Sequence, residues 1–301
     1  MSDKPAPSPQ KLVDGLVRLL TVERGNDDSF VGHRSASGVG RLFGGEVIAQ
    51  ALAAASATVG EDRPPHSLHA YFLRGGSEEQ DSLCRVERDF DGGSFSNRRV
   101  VVTQQERPIL TLAASFHKRE PGVEHQEAMP DVPPPEDLPS EAEVRRQFVE
   151  TVPEKFRKMM LRPRPIEMRG VEPRHWANSE PREPLTHSWF RAVAPLPDDP
   201  HIHRAALAWA SDMTLLGTAA LPHGLSWMKG ELMSASLDHA IWFHSEDFRC
   251  DEWLLYATDS PWAAQSRGFN RGRIFTQDGR LIASVAQEGL IRRVNPVADS
   301  T

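Results

Sequence analysis

The second half of this sequence repeats the first, which limits the chain to folds that can be built twice. Val102–Phe116 reads VTQQERPILTLAASF and Phe275–Gly289 reads FTQDGRLIASVAQEG. The two align without a gap, Thr103 on Thr276 and Ala113 on Ala286. Gln104/Gln277, Arg107/Arg280 and Ile109/Ile282 match in between. Each copy reads as a strand, a polar turn and a second strand. Upstream, Ser67-Leu68-His69-Ala70 lies over Ser236-Leu237-Asp238-His239-Ala240 once one residue is inserted. Further upstream, Phe43-Gly44-Gly45-Glu46 lies over Trp209-Ala210-Ser211-Asp212. A repeat of this length implies a duplicated unit. Differences between the copies then show where function has specialised.

Hydrophobic periodicity fills in the elements. Lys11–Leu20 has helical spacing of leucines, and Arg41–Ser56 is an alanine-rich helix opened by Gly44-Gly45. Residues 66–72, 82–90, 94–103 and 109–117 read as strands. In the second copy a strand over 184–194 precedes one helix over His203–Leu221, closed by Pro222-His223-Gly224. Strands over 234–243, 253–260, 265–275 and 281–292 follow. One helix followed by antiparallel strands, twice over, predicts an α+β chain. We expect one unit at 10–118, a proline-rich linker at 119–183 with a helix inside Ser140–Val152, and a second unit at 184–293. Residues 1–9 read as a disordered lead, and the C-terminal NPVADST as a polar tail.

At 301 residues the chain can hold two units with ordinary cores. A net charge of −7 argues against a general nucleic-acid binder. The N-terminus lacks the apolar core of a signal peptide. The longest apolar run falls short of the roughly 18 residues that span a bilayer. A cytoplasmic location is therefore expected. Cys84 and Cys250, the only two cysteines, are expected as buried reduced thiols.

Four polar residues stand out against apolar surroundings. Asp212 lies in LAWASDMTLL, where a carboxylate is costly unless paired or set in a cleft. It is either a functional acid or a cap at a helix break. Gln287 interrupts an almost wholly apolar strand, and its repeat partner is Ala114. It either orients a water or polarises a carbonyl, or it faces solvent on an edge strand. Ser236 offers a hydroxyl at a strand start, for chemistry or for a local backbone bond. Glu46 follows Gly44-Gly45 at a helix N-terminus, where a negative charge is favoured in any case. Asp238 and His239 are neighbours on a strand and point to opposite faces, so His239 reads as structural. Arg98, Arg99, Arg267, Arg271 and Arg273 are the basic candidates, either holding a phosphate group or in exposed ion pairs. No nucleophile elbow, zinc, Walker or dinucleotide motif is present. Asp28-Ser29-Phe30-Val31-Gly32-His33 offers an Asp-x₄-His pattern of the hydratase kind.

Several stretches together resemble the thioesterase II (TesB) family of acyl-CoA thioesterases. They are Arg41–Gly45, His66–Arg74, Asp91–Val100, Ala114-Ser115-Phe116, Ser211-Asp212, Pro222-His223-Gly224, Ser236–His244, Glu252–Tyr256, Ser266–Phe269 and Thr276–Gly289. The resemblance implies a double hot-dog fold. It implies hydrolysis of medium- to long-chain fatty acyl-CoA to fatty acid and CoA, by a water and without an acyl-enzyme. It implies that Asp212, Ser236 and Gln287 orient that water. Two departures stand out, serine where the family commonly has threonine (Ser236) and glutamate where it commonly has glutamine (Glu46). Substrate-binding residues are expected at Gly45, Glu46, His69, Arg267 and Arg271. Neither a cofactor nor a metal is expected, nor a nucleic-acid or membrane partner, and the chain is expected to be a homo-oligomer. Because only the second copy has the amide, one working site per chain is expected, with the first copy as its wall. The rival readings are a hot-dog enoyl-CoA hydratase and a non-catalytic acyl-CoA binding module.

Overall fold

A computed structural model of the chain describes residues 6–34, 40–172, 180–225, 227 and 229–294. The first five residues of the N-terminal lead and the NPVADST tail lie outside them. The first half runs α1 (Pro9–Leu20), β1 (Val22–Arg24), β2 (Ser29–Gly32), α2 (Gly44–Ser56), β3 (Pro65–Phe72), β4 (Ser82–Asp91), β5 (Phe95–Gln104) and β6 (Arg107–His117). Ser8 caps α1 by accepting from the Lys11 N–H, and Pro9 suits the first turn. A face of Val13, Leu16 and Leu20 is buried. α2 is buried almost all round, so its small alanines let it lie against β4, β5 and β6 on one side and the second half on the other.

The segment after β6 carries α3 (Glu141–Phe148), α4 (Glu154–Met160) and a strand β7 (Ile166–Gly170). Ser140 and Glu143 form a capping box at α3. The second half runs β8 (Leu185–Ala192), α5 (Pro200–Ser211), a 3₁₀ segment (Leu215–His223), β9 (Leu232–Ser236), β10 (Asp238–Phe243), β11 (Leu254–Ala264), β12 (Arg267–Thr276) and β13 (Leu281–Arg293). β7 pairs with β8, so the proline-rich segment adds an edge strand to the sheet.

All strands join one antiparallel sheet in the order β1-β2-β4-β5-β6-β3-β10-β13-β12-β11-β8-β7, with β9 beside β13. The two halves meet where β3 pairs with β10. That ladder is pseudo-symmetric. Its five pairs run from Asp238↔Tyr71 to Trp242↔Ser67, with His69↔Ala240 at the centre. Alternation along the strands sends Leu68, Ala70, Leu112, Ala114, Ile241 and Val285 inward, where they join α1, α2 and α5 in one continuous core.

Three details of the repeat differ from the ungapped alignment. The turn between β5 and β6 has two residues, Gln105 and Glu106, both left-handed with φ of 49° and 61°. The turn between β12 and β13 has three, and Gly279 takes the left-handed position with φ of 90°. The extra residue shifts β12 by one. Arg98 faces Ala114 while Asn270 faces Gln287, so Arg98 stands where Asn270 does. In the adjoining strand, Pro65 faces Phe116 and Ser236 faces Gly289. The counterpart of Ser236 is therefore Pro65, not Ser67. Finally, the helix expected over His203–Leu221 is two pieces. α5 ends at Ser211, Asp212 is its C-cap, and a 3₁₀ segment follows. Glu46 sits in the first turn of α2 and Asp212 at the end of α5, so these two carboxylates are not equivalent positions.

Candidate active site

Three elements of the second half and one of the first converge on Asp212. α5 ends there, and the Asp212 side chain is 5% exposed. From β13, the Gln287 amide Nε2 donates to Asp212 Oδ1 at 2.6 Å and to Ser236 Oγ at 3.1 Å. From the end of β9, Ser236 Oγ donates to Asp212 Oδ1 at 3.5 Å. From the first half, the Gly45 backbone N–H donates to the same carboxylate. The N-terminal end of α2 thus points its positive dipole at the charge.

The paired glycines explain this approach. A Cβ on residue 44 would sit 2.6 Å from Asp212 Oδ2 and against the Phe72 ring. A Cβ on residue 45 would collide with the Trp209 carbonyl and the Phe43 ring. Gly44-Gly45 is what lets the start of α2 close on the end of α5. Phe43 and Trp209 pack edge to face beside it, at 5.1 Å.

Burial raises the Asp212 pKa from 3.8 to about 6, against the lowering effect of the bonds from Gln287, Gly45 and Ser236. No Lys or Arg forms an ion pair with it among the described residues. Such a carboxylate is ionised near neutral pH yet binds a proton readily. Gln287 is fully buried, and its Oε1 has no hydrogen-bond partner in this arrangement. An acceptor without a partner therefore lies beside the carboxylate.

The other expected residues fall elsewhere. Glu46 is buried in α2, one residue beyond the Gly45 N–H. His69 is exposed on the outer face of β3, against Trp242 and opposite Ala240. Strand alternation puts it on the other side of the sheet from Asp212. Arg271 pairs with Asp259 at 2.6 Å and lies opposite Ala286, again on the outer face. Arg267 lies over the Trp262 ring and reaches Glu288 at 3.4 Å. None of these three is brought to the carboxylate. The Asp-x₄-His pattern is not assembled either. Asp28 is held by Arg88 at 2.6 Å and Arg24 at 3.0 Å, whereas His33 reaches Glu23 at 3.1 Å.

Two further residues adjoin Asp212: His239, which the sequence reads as structural, and Tyr256, which it does not single out. His239 is fully buried with Nδ1 3.9 Å from Asp212 Oδ1. Tyr256 is buried and donates its hydroxyl to the Ser211 carbonyl at 2.8 Å. Alternation from the half-exposed Asp238 already put His239 inside. What it faced depended on where α5 ends.

The duplicated helix-and-sheet unit, with the buried Asp212 carboxylate where its two halves meet, defines a double hot-dog protein. Comparison with known proteins agrees. The acyl-CoA thioesterase family model matches residues 174–290, and the model of the acyl-CoA thioesterase N-terminal domain matches residues 33–117. The human acyl-coenzyme A thioesterase 8 is 39% identical over 94% of this chain and 90% of its own length. The crystal structure of acyl-CoA thioesterase II TesB2 from Mycobacterium marinum superposes with a TM-score of 0.76 at 38% identity, covering 94% of this chain and all of that one (100%). A protein of Alicyclobacillus acidocaldarius with a hot dog fold shares the fold alone, with a TM-score of 0.74 at 21% identity over 94% of this chain and 98% of that one. The chain belongs to the acyl-CoA thioesterase family.

Proposed function

We propose that this protein hydrolyses acyl-CoA thioesters at Asp212, using a water oriented by Ser236 and Gln287. The observation that carries this reading is the buried Asp212 carboxylate bonded to both Gln287 and Ser236. Asp212 takes a proton from the water as general base. The water oxygen attacks the thioester carbonyl carbon, the C–S bond breaks, and the thiolate leaves with the proton held on Asp212. Ser236 and Gln287 fix the angle of attack, and the unpartnered Gln287 Oε1 accepts a hydrogen bond from the second O–H of the water. Phe43, Phe72, Trp209 and Met213 give the site an apolar flank, which suits a medium- to long-chain acyl group.

One site per chain follows from the same geometry. The first half has Pro65 and Ala114 where the second has Ser236 and Gln287, so it lacks both hydroxyl and amide. Its contribution is the Gly45 N–H. No described helix is long and apolar enough to cross a membrane. We place the enzyme in the cytoplasm, and we read it as a homo-oligomer because Tyr71 and Trp242 are exposed on the outer face of the sheet. Cell fractionation and light scattering test these two points.

A free-thiol assay across acyl chain lengths tests the function. Release of CoA by the native chain but not by Asp212→Asn supports it. Binding of acyl-CoA with no thiol release overturns it in favour of a binding module. Loss of enoyl absorbance without thiol release overturns it in favour of a hydratase.

A further inference from the structure

Next to the proposed base lies a histidine with one ring nitrogen anchored and the other facing the carboxylate. His239 Nε2 is 2.9 Å from Ser211 Oγ. The same Oγ is 2.9 Å from the Ala208 carbonyl. A serine hydroxyl has one proton, and a carbonyl oxygen can only accept. The proton therefore goes to Ala208, and Ser211 accepts from His239 Nε2–H. Burial lowers the His239 pKa to about 3, so the ring is neutral and carries a single N–H. Its Nδ1 is left as a lone pair without a hydrogen-bond partner, 3.9 Å from Asp212 Oδ1.

We propose that His239, with its tautomer fixed by Ser211, is a positioning residue that turns an acceptor rather than a donor toward Asp212 and thereby strengthens it as a base. The proposal rests on the reading of Asp212 as general base. Two effects act with the same sign. The ionised carboxylate faces a lone pair where an N–H would have stabilised it. The protonated carboxyl, formed once the water has given up its proton, has an acceptor nearby. Both favour the protonated state. They offset the Gln287, Ser236 and Gly45 donors, which favour the charged one. A base whose affinity lies near working pH transfers protons most effectively.

The other titratable groups around this pair leave the role to His239. On β11, Tyr256 is buried, its ionisation is disfavoured by burial, and its proton goes to the Ser211 carbonyl. On α2, Glu46 is in the first turn beside Gly45. On β10, Asp238 lies on the opposite face and accepts the Glu288 N–H at 2.7 Å. On α5, His203 and Arg204 are in the first two turns, far along the helix, with His203 bonded to Cys250.

The test is the full chain with Ser211→Ala, read by kcat/KM against pH and by ¹⁵N NMR of the imidazoles. Without its acceptor at Nε2, the ring moves its proton to Nδ1 and donates toward Asp212. The acid limb of kcat/KM then moves to lower pH by about 0.5–1 unit, and turnover on the alkaline plateau falls roughly two- to threefold because the base is weaker. In the native chain, His239 shows the Nε2–H tautomer. A merely structural Ser211 lowers activity equally at every pH and leaves the limb in place. That result, or an Nδ1–H tautomer in the native chain, overturns the proposal. If Asp212 is not the base, Asp212→Asn stays active, which fails the functional reading and the proposal together whatever the imidazole signal shows.

Discussion

Replacing Asp212 by Asn should make the protein more stable and inactive, and the gain should depend on pH in a calculable way. Burial raises the folded-state pKa of Asp212 from 3.8 to about 6. Between those values the folded chain binds more protons than the unfolded one. Stability attributable to this group therefore falls as pH rises through that window. Above pH 6 the ionised, buried carboxylate costs about 3 kcal/mol relative to an unfolded, solvated one. Asn is nearly isosteric, does not titrate, and can still accept from Gln287 through its amide oxygen. Its packing and hydrogen-bond offset is the same at every pH. The difference in unfolding free energy between variant and native chain should thus grow by about 2.4 kcal/mol from pH 4 to pH 8. For a chain of this length that is about 4 °C in Tm. The assay is thermal unfolding of both proteins at pH 4, 5, 6, 7 and 8, beside thiol release at pH 8. A Tm difference that does not change with pH would refute the raised pKa and the reasoning from burial. Near-normal thiol release by the variant would refute the assignment of the base.

The remaining predictions use other parts of the same site. Native kcat/KM should rise with pH through about 6 and level off above it, because only ionised Asp212 accepts the water proton; a flat profile from pH 5 to 8 argues against that base. Ser236→Ala should lose about 10- to 100-fold in kcat with little change in KM, whereas Ser236→Thr keeps the hydroxyl, fixes its rotamer and should retain or raise kcat. Gly45→Ala should force α2 away from α5, costing about 1–3 kcal/mol in urea unfolding and lowering kcat as the N–H to Asp212 is lost; a fully stable, active variant would contradict the close approach. Ala114→Gln alone should leave activity unchanged, because Pro65 still denies the first half a hydroxyl.

Much of the architecture was legible from pattern alone. Alternation located most of the paired strands in each half, and the alanine-rich run after Gly44-Gly45 marked α2. The family and its fold followed from motifs spread over both halves, and the structure brings together three of the four polar residues flagged against apolar neighbours, Asp212, Ser236 and Gln287. What the pattern hid is also physical. Apolar spacing runs unbroken from His203 to Leu221, but Asp212 ends α5 and a 3₁₀ segment takes over, which periodicity does not report. A one-residue difference in turn length moves every β12 side chain by one register, and letter matching across the turn absorbed it silently. His69, Arg267 and Arg271 carry suitable chemistry, but parity along their strands puts them on the outer face. Only the register of β3 with β10, and of β12 with β13, reveals that.

The pseudo-symmetry of the sheet also accounts for why the proposed site is composite. The axis passes through His69↔Ala240, so the two halves contribute equally to the seam between β3 and β10. The helices break that equality. α2 begins at Gly44-Gly45 and brings bare backbone N–H groups against the end of α5. α5 begins with Pro200 after the capping Asp199, whose side chain already accepts from the His201 N–H, and its first turn serves Cys250 through His203. A helix N-terminus is therefore offered to a carboxylate at the end of α5, and the carboxylate has its amide and hydroxyl partners only from β13 and β9. The donors to Asp212 thus come from both halves, Gln287 and Ser236 from the second and the Gly45 N–H from the first. In this chain duplication provides a scaffold, and divergence at Pro65, Ala114 and Arg98 leaves the first half without the hydroxyl and amide of the proposed site.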